Sequence, residues 1–201
     1  MRLLVATTNP NKLREISGIL ADIDVELVAL DAFQPVAEPE ETGHTFAENA
    51  RAKAVYYSTK LGVVAVAEDS GLEIDALGGE PGIHSARYGG AALPYPEKFA
   101  ILYAKLRERR APDSTARFVC ALAVARGAQI LFEARGTVEG RVADVPRGTH
   151  GFGYDPMFYY PPLDRTLAEL SDGEKALVSH RGQAFRQLHA YLRGGDLGGG
   201  A

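Results

Sequence analysis

The chain has 201 residues, of which 46% are hydrophobic and 24% charged, with a formal net charge of −4. That length suits one domain, or one domain with two lobes, and the apolar content excludes a chain disordered throughout. The acidic balance argues against a general nucleic-acid binder, and no apolar run approaches the roughly 20 residues that span a bilayer.

Residues 2–7 are too short an apolar run for a signal peptide and read as a first strand. Residues 10–21 carry Leu13, Ile16 and Leu20 at helical spacing. Val25–Leu30 alternates like a strand, and 31–44, with two prolines and four acids, reads as a loop. A second helix is expected over 45–61 and a buried strand over Val63–Ala67, ending in a turn at Glu68-Asp69-Ser70-Gly71-Leu72. After the glycine-rich stretch 78–90 come a helix near 94–109 and an antiparallel hairpin, 115–126 and 129–139, about Gly127-Ala128. A Gly/Pro loop at 146–156 leads to short helices near 165–177 and 180–193. Alternating elements of this kind indicate an α/β fold. Residues 1–193 read as a single domain and 194–201 as a flexible tail. The single cysteine, Cys120, cannot form an internal disulfide and falls in a strand pattern, so it reads as a core residue and the cytoplasm is the default location.

Three of the six lysines, Lys12, Lys53 and Lys175, sit in unusual places. In Thr7-Thr8-Asn9-Pro10-Asn11-Lys12, Asn9 is a good helix N-cap and Pro10 a good first residue. Lys12 in the first turn opposes the helix dipole, so the segment is either a well-capped helix or a site where an anion offsets that opposition. Thr45 and Glu48 have capping-box spacing, which gives Glu48 a structural role. Thr45, Asn49 and Lys53 share one face beside the apolar stripe, as the wall of a cleft would. Glu41 lies ahead of the helix and is either a metal ligand or a solvated loop residue. Asp69 and Ser70 with Glu41 suit Mg²⁺, a hard cation that prefers oxygen ligands, and Asp69 also suits deprotonation of a water. In Gly151-Phe152-Gly153-Tyr154-Asp155-Pro156 the glycines allow close backbone approach, and Phe152 is placed to stack on a base or to fill core. Ser171 and Glu174 repeat the capping-box spacing, and Lys175 repeats the oddity of Lys12.

Six segments in order resemble the family of inosine/xanthosine triphosphate pyrophosphatases, Ham1-like enzymes that remove deaminated purine nucleotides. They are Thr7–Lys12, Glu41–Ala50 with Lys53, Asp69–Leu72, Gly79–Tyr88, Gly151–Pro156 and Ser179–Gly182, and the likeness covers about residues 3–193. The resemblance implies a homodimer whose subunit has an elongated mixed sheet flanked by helices, with two lobes and a cleft between them. It implies hydrolysis of ITP, dITP and XTP to the monophosphate and pyrophosphate, with Mg²⁺ held by Glu41 and Asp69 and Asp69 as the base. Thr7, Thr8, Asn9, Pro10, Asn11 and Lys12 would hold the triphosphate, with Lys53 assisting and Ser70 contacting substrate. Phe152, Gly153, Tyr154 and Asp155 would form the base pocket, completed by Lys175, His180 and Arg181. Glu68 departs from the aspartate of many relatives. Two other readings compete: a pyrophosphatase for modified pyrimidine nucleotides, and a purine-nucleotide sensor without turnover. Asp69, Glu41 and the lysines weigh against the sensor, which needs no water-activating acid. Neither stable nucleic acid nor a membrane is expected as a partner.

Overall fold

A computed structural model describes residues 2–195; the expected tail lies outside the described residues from 196 onward. The elements are β1 (Arg2–Val5), α1 (Pro10–Ile19), β2 (Glu26–Val28), α2 (Phe46–Leu61), β3 (Val64–Ile74) and α3 (Tyr95–Glu108), followed by β4 (Thr115–Arg126), β5 (Gln129–Val142), β6 (Phe158–Tyr160), β7 (Arg165–Thr166), α4 (Asp172–Val178) and α5 (His180–Arg193). The fold is mixed α/β. Seven strands form one sheet in the order β2-β1-β3-β4-β5-β6-β7. β1 runs parallel to both β2 and β3, through Leu3↔Leu27 and Leu4↔Ala65, while β6 runs antiparallel to β5 and β7. β4 and β5 are adjacent and joined by two residues, with Gly127 at φ 57°, so they form the expected hairpin.

The chain divides into two compact units. Unit 1 takes the chain up to Asp69, Cys120–Gly136 and the chain from His180 on. Its core joins Leu3 and Val5 of β1, Ile16 of α1, Val66, Cys120, Leu122 and Val124 to Phe185 and Leu188 of α5. Unit 2 takes Ser70–Val119 and Thr137–Ser179, around Leu72, Ile74, Phe99, Leu102, Phe118, Tyr154, Met157 and Phe158. In unit 1, Gly136 lets β5 approach α5 closely: a Cβ there would stand 2.0 Å from the His180 carbonyl oxygen and 2.7 Å from the Ala184 nitrogen.

Two sequence expectations change. The turn at 68–72 is strand: β3 runs unbroken from Val64 to Ile74. Glu68 pairs with the buried Arg181 and with Lys12, and Asp69 with Lys53, and Gly71 admits Ser85 against the strand, where the Leu72 N–H donates to Ser85 Oγ at 3.0 Å. The helix expected near 165–177 is also shorter. Arg165–Thr166 pairs with β6, and Leu167–Glu169 is a 3₁₀ turn under a Thr166–Glu169 capping box. A second box, Ser171–Glu174, then starts α4 at Asp172.

Candidate active site

β1 stops at Val5, and the Ala6 N–H donates to the Val66 carbonyl at 2.8 Å, so the chain leaves the sheet while β3 continues past it. The end of a parallel strand is the usual ligand position in α/β folds. Asn9 caps α1 as expected, accepting from the Asn11 N–H at 2.9 Å and the Lys12 N–H at 3.3 Å, while Thr7 Oγ1 accepts from the Asn9 N–H at 3.1 Å. The first amides of α1 are thus bound by the cap. What the segment offers an anion is Lys12, at the start of the helix, and the exposed Thr8.

Lys12 has an internal counter-charge. Its Nζ lies 2.9 Å from Glu68 Oε1, and the same oxygen accepts from Arg181 Nη2 at 3.0 Å and Nε at 3.3 Å. Arg181 Nη1 donates to Glu15 at 2.7 Å, and the Cys120 thiol donates to Glu68 Oε2 at 3.4 Å. Burial alone would raise the Glu68 carboxyl; the charges of Arg181 and Lys12 outweigh it and hold the group well below the usual range. Cys120 is fully buried, as the sequence implied, and burial followed by the Glu68 charge pushes its thiol well up.

Beside Glu68, Asp69 meets α2. Asn49 Nδ2 donates to Asp69 Oδ2 at 2.9 Å, and Lys53 Nζ lies 3.6 Å from Asp69 Oδ1 and 2.6 Å from Glu41 Oε1. Helical spacing brings Asn49 and Lys53 to one face, as read from the sequence; Thr45 caps the helix, accepting from the Glu48 N–H at 3.1 Å. Glu48 does not close the box on the Thr45 N–H but accepts from the His44 N–H at 2.7 Å, a structural role as expected. Burial raises the Asp69 carboxyl above its ordinary value, with Lys53 opposing and Glu41 adding to the rise. Burial would lower the Lys53 ammonium, but Asp69 and Glu41 overcome this and raise it, so Lys53 stays charged. Among the described residues no three His, Cys, Asp or Glu side chains gather as a metal cage. A pair of carboxylates converging on one ammonium is nonetheless a donor set of the kind Mg²⁺ uses, since that ion binds through one or two carboxylates with phosphates and water completing its shell.

The glycine loop of unit 2 holds a second buried ion pair. Lys175 Nζ donates to Asp155 Oδ2, with both side chains at most 4% exposed, and the same oxygen accepts from the Phe152 N–H at 2.8 Å. Gly151, at φ 68°, is required here: a Cβ would stand 2.1 Å from Asp155 Oδ2. The Lys175 ammonium lies 4.8 Å from the Phe152 ring centroid, a cation–π contact. Phe152 and Gly153 are half-buried, and so is Ser70 on β3. Tyr154 is a core residue. Its hydroxyl donates to the Ser85 carbonyl at 2.9 Å, and its ring meets Tyr95 edge-on at 5.1 Å. What Tyr154 offers a ligand is therefore its backbone.

The structure gathers Lys12, Lys53, Glu41 and Asp69, with Arg181, in unit 1, and Phe152, Asp155 and Lys175 in unit 2. His180 is buried at the start of α5. Sequence reasoning did not foresee the Glu68–Arg181–Glu15 cluster, or that Asn49 grips Asp69. The one available signal for Asn49 was its place on the line with Lys53.

The Ham1 family model matches residues 3–191. A protein of Exiguobacterium sp. named dITP/XTP pyrophosphatase is 45% identical over 192 residues, covering 96% of this chain and 97% of its own. A Thermus thermophilus protein of the same name is 45% identical over 195 residues, covering 96% and 93%. Among solved structures, a HAM1 protein from Coxiella burnetii superposes with a TM-score of 0.90 at 38% identity, over 96% of this chain and 99% of that one. The Staphylococcus aureus Ham1 protein gives 0.86 at 37%, over 97% and 100%.

Proposed function

The chain belongs to the Ham1 family, and from that premise we propose that it hydrolyses the deaminated purine nucleoside triphosphates ITP, dITP and XTP to the monophosphate and pyrophosphate, keeping these bases out of DNA and RNA. The observation that carries the chemistry is the convergence of Glu41 and Asp69 on Lys53, with Asp69 buried and its carboxyl raised.

On this reading Asp69 takes a proton from the attacking water. The water oxygen bonds to the α-phosphorus as the bond to the α–β bridging oxygen breaks, and pyrophosphate leaves with that electron pair. Lys53 and Lys12 offset charge growing on the leaving group. Lys12 is held ready for this by Glu68, and Thr7, Thr8, Asn9, Pro10 and Asn11 line the phosphate side with it. Glu41 and Asp69 would hold Mg²⁺, which when bound neutralises phosphate oxygens.

In unit 2, Phe152 supplies a stacking face, worth about 1–3 kcal/mol per base. The backbone of Gly153 and Tyr154 forms the floor, and Asp155 orients Lys175. Hypoxanthine and xanthine present an oxygen acceptor at C6 to such donors. Adenine presents an amino group there, and an unpaired buried donor costs about 1–3 kcal/mol. Ser70 and His180 complete the substrate contacts, and Arg181, bound to Glu68 and Glu15, acts through Glu68, which also holds Lys12. Residues 1–193 act as one domain, in a cytoplasmic homodimer without a stable nucleic-acid partner. No described helix is long and apolar enough to cross a membrane.

Hydrolysis of ITP in ¹⁸O-enriched water with Mg²⁺ tests the bond and the site of attack. One label in the IMP phosphate is expected. Label in pyrophosphate, or IDP with orthophosphate as products, refutes the mechanism.

A further inference from the structure

We infer that Asn49 is a positioning residue for this reaction: its side-chain amide ties the loop carrying Glu41 to the Asp69 carboxylate and fixes the two acids relative to each other. The inference rests on the proposed roles of Glu41 and Asp69. Asn49 is 1% exposed and uses both ends of its amide. The Gly43 N–H, two residues after Glu41, donates to Asn49 Oδ1 at 2.9 Å. Asn49 Nδ2 in turn donates to Asp69 Oδ2 at 2.9 Å. The partners define the amide orientation, because a backbone N–H can only donate and a carboxylate can only accept.

One helical turn later, Lys53 makes the parallel connection, to Glu41 Oε1 and to the other Asp69 oxygen, Oδ1. One face of α2 therefore joins the same two segments twice and holds each Asp69 oxygen by a different residue. The two links differ in stiffness. A lysine ends in a freely rotating ammonium on four methylenes, whereas a buried planar amide with two directed bonds fixes orientation. The packing shows how tightly the loop is seated on the amide. A Cβ on Gly43 would stand 2.5 Å from Asn49 Oδ1 and 2.9 Å from Glu48 Cβ. The loop can approach Asn49 this closely only with glycine at that position.

Partners that orient metal-ligating carboxylates are typically worth about 10–100-fold in metal affinity or activity. The test compares the parent with Asn49→Ala and Gly43→Ala, the second of which pushes the Glu41 loop off the amide while keeping the asparagine. Mn²⁺ binding without nucleotide is measured by electron paramagnetic resonance, kcat and KM for ITP are measured with Mg²⁺, and folding is followed by circular dichroism. For both variants the expectation is a native spectrum, Mn²⁺ affinity and kcat each lowered at least tenfold, and KM within threefold of the parent. A purely structural asparagine would lower thermal stability and leave the Mn²⁺ affinity and kcat of the folded fraction alone. Values within twofold of the parent in folded Asn49→Ala overturn the inference. If Asn49→Ala does not fold, the same result in Gly43→Ala overturns it. A parent that neither binds Mn²⁺ nor releases pyrophosphate overturns the proposed function as well, which separates the two failures.

Discussion

Replacing Glu68 by glutamine removes one negative charge from among Lys12, Arg181 and Cys120 while keeping the side-chain shape. The Glu68 side chain is only 2% exposed, as is that of Arg181. Removing one partner of a buried pair costs about 3–5 kcal/mol, because the other charge is left without compensation. Glu15 still holds Arg181 Nη1 at 2.7 Å, so the loss belongs at the low end, about 3 kcal/mol. For a chain of this size each kcal/mol shifts Tm by about 2–4 °C, which gives a drop of about 6–12 °C near neutral pH. The pH dependence follows from the depressed carboxyl. Burial pushes Glu68 up, but Arg181 and Lys12 outweigh it, so the folded-state value lies well below the ordinary 4.5. A depressed acid contributes its full stability above the unfolded value and loses it as pH falls through the folded one. Thermal denaturation of parent and Glu68→Gln from pH 7 down to pH 3 should show the Tm gap full at pH 7 and narrowing below about 4.5. A gap under about 2 °C at pH 7, or one unchanged across the range, refutes the assignment of Glu68 as the charge that holds the cluster together.

Asp69→Asn should abolish turnover while ITP binding, followed calorimetrically, stays within a few-fold; turnover close to the parent's would remove Asp69 from the role of base. Phe152→Ala should raise KM for every purine triphosphate tried, by the ~1–3 kcal/mol of a lost base stack, and an unchanged KM would contradict stacking. Gly136→Ala places a Cβ 2.0 Å from the His180 carbonyl oxygen, so β5 and the start of α5 must separate. Its Tm should fall by at least about 6 °C, and parent-like melting would contradict the close approach.

What was legible in the sequence was local. Asn9-Pro10, Thr45 and Ser171 marked helix starts because a cap and the amides it binds lie within three residues. The alternation of strand and helix in the first half likewise gave the parallel part of the sheet. Hydropathy ends the expected strand before Glu68, and the charge that lets β3 continue comes from Arg181, 113 residues away. β6 and β7, at three and two residues, are too short to show a strand period. At the site, residue types carried the reading of Lys12, Glu41, Lys53 and Asp69. They did not disclose that Arg181 is committed to Glu68 and Glu15, nor that Tyr154 fills the core of its unit. Those assignments depend on which buried partner each side chain finds, and the partners are distant in sequence.

The most direct test is a parallel assay of pyrophosphate and orthophosphate release from ITP, XTP, dITP, GTP, ATP and dUTP with Mg²⁺. Pyrophosphate from ITP, XTP and dITP, with kcat/KM for GTP and ATP far lower, is the predicted result. Orthophosphate as the first product, equal rates across the purines, or preference for dUTP would contradict it.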